Sequence, residues 1–495
     1  MLALIPIILV LILSLKTKNI YFALVLGIIS ALFIFCGFDP LLTLEEFINV
    51  FAQNASDNMD ILIYVSFLGM FIYLINSSGA AHYFASKVIN KLKTKRQTTI
   101  VAMLLGIMCF LDDYFNCLTV NTVMKPIADR NGMSREKLAY IVDATASPIC
   151  VLTPISSWAG LVGASLPAIS AINGFGLYVK TIPFNFYPIL TIVFITALAY
   201  FNFDFGRMKK LEDSAERHKK IKEKDNIISP QSKINTRVRT FDLISPIIVL
   251  TLVTSLMMVF TGGLFEGKSI TEAFMNCEAV KSLASGTFIT ILYMAVLYLP
   301  RKVMKPKEFL DGITNGFEFI STSILILLLA WVFSTVCGSD YLNFTGWVAD
   351  LINSSQMSFT LVPFILFIVC FLVTMATGVS WAAIALLIPL ASILFNDTIS
   401  PLMILSTAAI ISGGAAGDHI GPLSDTTILS ATISEANYTE HVISQFQYGI
   451  IVVIISSLGY LISGISGLYW LGLIFGLVLT PLVLFIIKHI QIKRS

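Results

Sequence analysis

Charge is what this chain has least of. Asp, Glu, Lys and Arg make up 13% of its 495 residues, about half of the ~25% usual in soluble domains. With 56% hydrophobic residues and a mean hydropathy of +0.84, the chain does not read as the roughly three soluble domains its length would suggest. The net charge of +2 gives no basic or acidic surplus, which argues against nucleic acid or an acidic partner. No Gly-rich phosphate loop occurs, so the chain offers no nucleotide hydrolysis to drive uphill work. The seven cysteines (Cys36, Cys109, Cys117, Cys150, Cys277, Cys337, Cys370) form no CxxC pair and no His/Cys metal spacing. They read as small apolar packing residues. The first apolar run lacks a charged n-region and a clear cleavage site, and reads as a membrane helix rather than a signal peptide.

Long apolar runs are what the chain does have. Roughly 20 such residues let a helix cross a bilayer. Spans are expected near 2–15, 20–37, 60–77, 187–203, 242–261, 279–299, 317–337, 444–463 and 467–487. Four further stretches, 98–124, 138–165, 358–395 and 400–432, are apolar but interrupted by Pro, Gly and polar residues. Lys and Arg mark the cytoplasmic side. They cluster at Lys16/Lys18, Lys87–Arg96, Lys125–Lys137, Arg207–Arg239, Arg301–Lys307 and Lys488–Arg494, whereas 38–60, 338–357 and 396–400 have none and 166–186 has only Lys180. This alternation puts the N-terminus outside and the C-terminus in the cytoplasm of a bacterial-type inner membrane. It closes only if 98–124 and 358–395 are re-entrant hairpins from opposite sides and 138–165 and 400–432 each cross once as broken helices. Arg207–Arg239, with eleven Lys/Arg and five Asp/Glu, reads as a solvated linker.

The two halves then repeat one order: three helices, a hairpin, a broken helix, a helix. The expected fold is an all-α polytopic membrane protein of about eleven transmembrane helices plus two re-entrant hairpins, in an inverted repeat with broken helices. Residues 1–203 are the first repeat, 204–241 a cytoplasmic linker, 242–463 the second repeat, and 464–495 an extra terminal helix and tail. Interrupted helices at matching positions mark binding sites in such architectures.

Four polar clusters fall in the interruptions. The first holds Asp112, Asp113 and Asn116 directly after an apolar run. Intramembrane carboxylates cost at least ~2.5–3.5 kcal/mol and are usually functional, the alternative being a hydrated turn at the membrane edge. The second is Asp143, Thr145 and Ser147 with Pro148, then Thr153, Pro154, Ser156 and Ser157. Its prolines break the helix and its hydroxyls are hard oxygen ligands, although a single hydroxyl more often just packs. The third, Thr377-Gly378-Val379-Ser380-Trp381, is a hairpin tip. The fourth runs from Gly413 to Thr427, with Asp418, His419, Ser424, Asp425, Thr426 and Thr427. Its glycines and Pro422 are expected to break the helix, and His419 to hydrogen-bond beside Asp418. A His419/Ser424/Asp425 hydrolytic arrangement can be drawn, but it needs only chance in a polar cluster, and an enzyme is not expected.

Gly417-Asp418-His419-Ile420-Gly421-Pro422-Leu423-Ser424-Asp425-Thr426-Thr427 and Thr377-Gly378-Val379-Ser380-Trp381 resemble signatures of the NhaC-type Na+/H+ antiporter family. Phe110–Asn116 and Asp143–Pro148 are similar to its first-half signatures, so the resemblance covers roughly 95–465. Gly421 stands where the family often has Ser, and Val379 where it often has Thr; each removes a hydroxyl. The wider family includes members resembling organic-anion and amino-acid exchangers, so the resemblance implies cation coupling more firmly than bare cation exchange.

The expectation is therefore a secondary transporter in which Na+ and H+ compete for buried carboxylates, with Asp143, Asp418 and Asp425 as the Na+ ligands. Ser424, Thr426, Thr427 and the hairpin tips would complete the shell. The alternative is Na+- or H+-coupled transport of a small organic solute. No cofactor is expected beyond the transported ions. The expected partners are membrane lipid, those ions and, on the alternative reading, a small organic solute; a homodimer is left open.

Overall fold

A computed structural model describes residues 4–17, 20–80, 83–84, 87, 92–165, 174–224, 237–270, 273, 277–338, 340–343, 359–395 and 398–494. Every regular element among them is a helix. Six are long and apolar enough to cross a membrane, seven if the bent pair Gly174–Phe184 and Phe186–Phe201 counts as one span.

Outer and inner helices differ in what they bury. Phe241–Thr261 turns Ile248, Leu252, Leu256 and Phe260 outward, one apolar stripe at helical spacing. About 33% of its membrane-crossing stretch is buried, against 83% for Pro401–Ser434. A helix enclosed by protein has no need of lipid-facing side chains, which frees its surface for Ser, Thr, Asp and Gly.

Two hairpins and two broken helices make this interior. The first hairpin joins Lys95–Met108 to Asp113–Asn131. Asp112 caps the second arm, accepting from Phe115 N at 3.1 Å, and Gly132 ends it at φ 71°. The second hairpin joins Val362–Thr377 to Ser380–Leu394 through Gly378, at φ 75°. A Cβ at Gly378 would strike the carbonyl of Leu423, so this tip lies on the break of the second broken helix. The first broken helix is Arg135–Thr145, then Ser147–Val151 and Ser157–Ser165, interrupted at Ala146 and again before Ser157. The second is Pro401–Ile420 and Asp425–Ser434. Tyr438–Ser466 packs against both.

Several boundaries differ from expectation. Gly413, Gly414 and Gly417 do not break their helix, which is continuous to Ile420; only Gly421 and Pro422 fall in the interruption. A Cβ at Gly413 would lie 2.5 Å from Phe367 O, and one at Gly417 2.7 Å from Phe371 O. The glycines thus let Pro401–Ile420 press backbone to backbone on Val362–Thr377, as small residues do between membrane helices. The stretch 38–60, expected as a connection, contains the helix Pro40–Asp57, begun by Asp39, which accepts from Leu41 N at 2.8 Å. Among the described residues the first half therefore has four long helices between Leu4 and Ser77 rather than three; most of 81–91, and residues 344–358 of the second half, lie outside the described residues. The span expected at 317–337 starts at Pro306 and that expected at 444–463 starts at Tyr438. The linker is not wholly solvated. Gly206–Lys224 is a helix, and its Glu212 is buried, accepting from Ser134 N at 2.6 Å and from Lys95 Nζ at 2.9 Å. Residues 225–236 lie outside the described residues.

Candidate functional site

The breaks bring carboxylates from both halves of the chain together. Asp113 opens the inner arm of the first hairpin, and Asp418 ends the long piece of the second broken helix; each is 2% exposed. Between them stands Ser147, freed from helical packing by the break at Ala146. Its hydroxyl lies 3.4 Å from Asp113 Oδ2 and hydrogen-bonds Asp418 Oδ2. Trp158 Nε1 donates to Asp113 at 3.2 Å. Ser424 donates to the other oxygen of Asp418 at 2.8 Å, with Thr426 Oγ1 3.4 Å from Oδ2. Apart from one indole, the side chains around this pair are hydroxyls.

A second set surrounds Asp143, which is wholly buried on Arg135–Thr145. Its Oδ2 accepts from Thr427 Oγ1 at 3.0 Å and from Gln445 Nε2 at 2.7 Å, with His441 Nε2 4.0 Å away. The same Gln445 amide also donates to the carbonyl of His419. One amide on Tyr438–Ser466 thus joins the breaks of both helices.

A third set lies between the hairpin tips. Asp425 Oδ1 accepts from Thr426 N at 2.9 Å, and its Oδ2 accepts the hydroxyl of Tyr114. Asp112, Tyr114, Gly378, Ser380, Trp381 and Asp425 line a cavity of about 30 Å³, room for a water molecule.

The expected Na+ ligands Asp143, Asp418 and Asp425 are therefore spread over three adjacent sets, linked by Ser424, Thr426 and Thr427, and Asp113 is the carboxylate beside Asp418. Other expected residues serve the scaffold. Asn116 donates to Gly106 O at 2.7 Å and to Thr145 O at 2.8 Å, pinning the hairpin tip to the broken helix. Thr145 bonds back to Ile141 O at 2.9 Å. Thr153 Oγ1 lies 2.9 Å from Cys150 O, and Ser156 Oγ 3.3 Å from Thr153 O. The side chain of Thr377 lies outside the described residues. His419 does not bond Asp418; its Nδ1 meets Tyr187 OH at 2.7 Å and its ring stacks on Tyr140. Ser424 donates to Asp418, so His419 and Ser424 do not form a hydrolytic pair.

Gln445, His441, Tyr114 and Trp158 do not stand out in the sequence pattern. Nor does Tyr178, whose hydroxyl lies 3.0–3.2 Å from the carbonyls of Cys150, Val151 and Thr153, freed where Ser147–Val151 ends. A Gln and a His opening an apolar span are the available signal, hidden where the span is expected to begin at 444.

Among the described residues, no Lys or Arg pairs with Asp113, Asp143, Asp418 or Asp425, and no group of three or more His, Cys, Asp or Glu is arranged to hold a metal. His441, 4.0 Å from Asp143, is the one basic side chain near these four carboxylates among the described residues, and a bare charge on any of them would be costly.

Comparison with known proteins follows the same direction. The sequence model described as the Na+/H+ antiporter family matches residues 150–465. A protein of Haemophilus influenzae without an assigned function is 31% identical over 422 residues, 83% of this chain and 79% of that protein. The malate-2H+/Na+-lactate antiporter of Bacillus subtilis is 25% identical over 46% of this chain and 44% of its own length. The arginine/ornithine antiporter ArcD of Halobacterium salinarum is 30% identical over 32% of each chain. The crystal structure of the YdaH transporter of Alcanivorax borkumensis aligns with a TM-score of 0.56 at 12% identity, covering 86% of this chain and 90% of that one, a likeness of fold alone.

Proposed function

The chain belongs to the Na+/H+ antiporter family, and from that premise we propose that it is a secondary transporter exchanging Na+ for H+ at the carboxylates between its hairpins and broken helices. The observation that carries the reading is the Asp113–Ser147–Asp418 bridge, two buried carboxylates sharing one hydroxyl. Without a cation, protons keep such a pair from repelling itself. When Na+ arrives, the carboxylates give up protons, and the hydroxyls of Ser147, Ser424 and Thr426 rotate to present lone pairs. The same atoms serve both loading states, so occupancy by one ion excludes the other. Hard cations favour such an all-oxygen shell.

In this reading the two hairpins and two broken helices form the transport unit and the outer helices its scaffold, related as an inverted repeat. The N-terminus lies outside and the C-terminus in the cytoplasm. The small cavity at the hairpin tips suits an ion or a water molecule; sites for organic ligands are typically ~300–1,000 Å³. The organic-solute reading draws on the names of the Bacillus and Halobacterium relatives.

Proteoliposomes separate the two readings. With an imposed pH gradient, added Na+ should move protons outward in the absence of any organic solute. Proton movement only in the presence of a dicarboxylate, lactate or amino acid would replace ion exchange with solute coupling.

A further inference from the structure

A pocket of about 350 Å³ opens beside the end of the apolar helix Phe186–Phe201, walled also by the first hairpin, Gly206–Lys224 and the terminal helix Tyr469–Arg494. It lies in the size range of ligand sites and apart from the carboxylate sets. Its charges are unequally committed. Lys137 is held by Asp204 at 2.6 Å, and Lys95 by Glu212 at 2.9 Å and Glu216 at 3.7 Å. Arg96, Lys209 and Lys488 also line the pocket; among the described residues none of them pairs with a carboxylate, although Lys488 donates to the carbonyl of Phe201 at 2.9 Å. Arg96 lies over the ring of Tyr200, 5.7 Å from its centroid, and Lys488 lies 5.6 Å from the centroid of Phe201. Tyr200 is 70% exposed. Aromatic rings with basic side chains at the end of an apolar helix mark the level of lipid headgroups, and basic pockets between membrane helices at that level hold phosphate groups.

We propose that this pocket binds a phosphate-bearing anion, its phosphate held by Arg96, Lys209 and Lys488. Asp213, the lining carboxylate with no cation partner among the described residues, accepts a hydroxyl or ammonium from the rest of the ligand. A phospholipid headgroup and a soluble phosphate share this chemistry. The pocket also touches the transport unit: Lys137 and Tyr140 lie on Arg135–Thr145, the helix of Asp143, and Tyr448 on Tyr438–Ser466, the helix of Gln445. An occupant therefore bears on both helices that hold the second carboxylate set.

The test uses the full chain in nanodiscs. Melting temperature is compared in phosphatidylcholine alone, with phosphatidylglycerol added, and with inorganic phosphate added to the phosphatidylcholine discs. The triple variant Arg96→Gln, Lys209→Gln, Lys488→Gln is measured beside the wild type. Stabilisation of the wild type by phosphatidylglycerol, lost in the variant, supports a headgroup. Stabilisation by inorganic phosphate alone, lost in the variant, supports a soluble anion. Removing each charge should weaken binding about fivefold, and all three about a hundredfold. No stabilisation by either probe, or equal stabilisation of the variant, overturns the proposal. If the triple variant melts below the wild type in plain phosphatidylcholine, Lys488→Gln alone decides: about fivefold weaker binding is expected, and unchanged affinity overturns the site.

Discussion

The Asp113–Asp418 pair and the Asp143 set are both buried, both lie at helix breaks and both draw on the two halves of the chain. They differ in the atoms that face the charge. Around Asp418 stand hydroxyls, each able to donate to a carboxylate or, after rotation, to offer lone pairs to a cation. Against Asp143 stand one hydroxyl, that of Thr427, and the Gln445 Nε2 group, a donor only that is also committed to the carbonyl of His419. On the proposed reading the first arrangement changes its load without moving the backbone, and the second ties three elements together. Burial alone would not distinguish an exchanging carboxylate from an anchoring one; the neighbours would.

The comparison breaks or sharpens in order of effect. Asp418→Asn should lower gradient-driven exchange at least about 100-fold in vesicles while the protein still inserts and melts as the wild type does, because an amide supplies an oxygen but neither charge nor an exchangeable proton. Gln445→Leu strips the anchoring set of its fixed donor and leaves a buried carboxylate short of a hydrogen bond; thermal unfolding should show a loss of about 2–3 kcal/mol. Asp143→Asn should cost exchange only about tenfold, since the amide can still accept from Thr427. A variant as inactive as Asp418→Asn would move Asp143 into the exchanging group. Ser147→Ala removes one rotatable hydroxyl between two carboxylates. Half-saturation for Na+ should rise about five- to tenfold with stability changed by less than about 1 kcal/mol, and an unchanged Na+ dependence would leave the Asp113–Asp418 bridge without a role in ion loading.

Much of the exchanging side is legible in the residues themselves. Pro148 and Gly421-Pro422 announce breaks, with Ser147, Asp418 and Ser424 beside them, and Asp113 interrupts an apolar run of its own. What a linear chain does not disclose is pairing. Nothing local says that Ser147 meets Asp418 rather than a nearer acid, and the three expected Na+ ligands lie in neighbouring sets. The anchoring side is less legible still, because a Gln near the end of an apolar run looks like the edge of a membrane span. The glycines of 413–417 mislead for a similar reason. A glycine that breaks a helix and one that admits a neighbouring backbone carry the same letter, and only the presence of Phe367 and Phe371 opposite decides between them. The helix Pro40–Asp57 escapes a hydropathy reading because three acids and three polar amides dilute its apolar face.

The bond from Ser147 to Asp418 spans 271 residues of chain. At about 5–20 residues per second, a ribosome finishes the first carboxylates roughly 15–55 seconds before the residues that will enclose them exist. During that interval the first hairpin and first broken helix sit half-built at the membrane, with Asp113 and Asp143 lacking their partners from the second half. The site is thus a late product of biosynthesis. Chains stalled between residues 165 and 400 should be prominent clients of membrane quality control, and an independently expressed second half is the natural means of rescuing them.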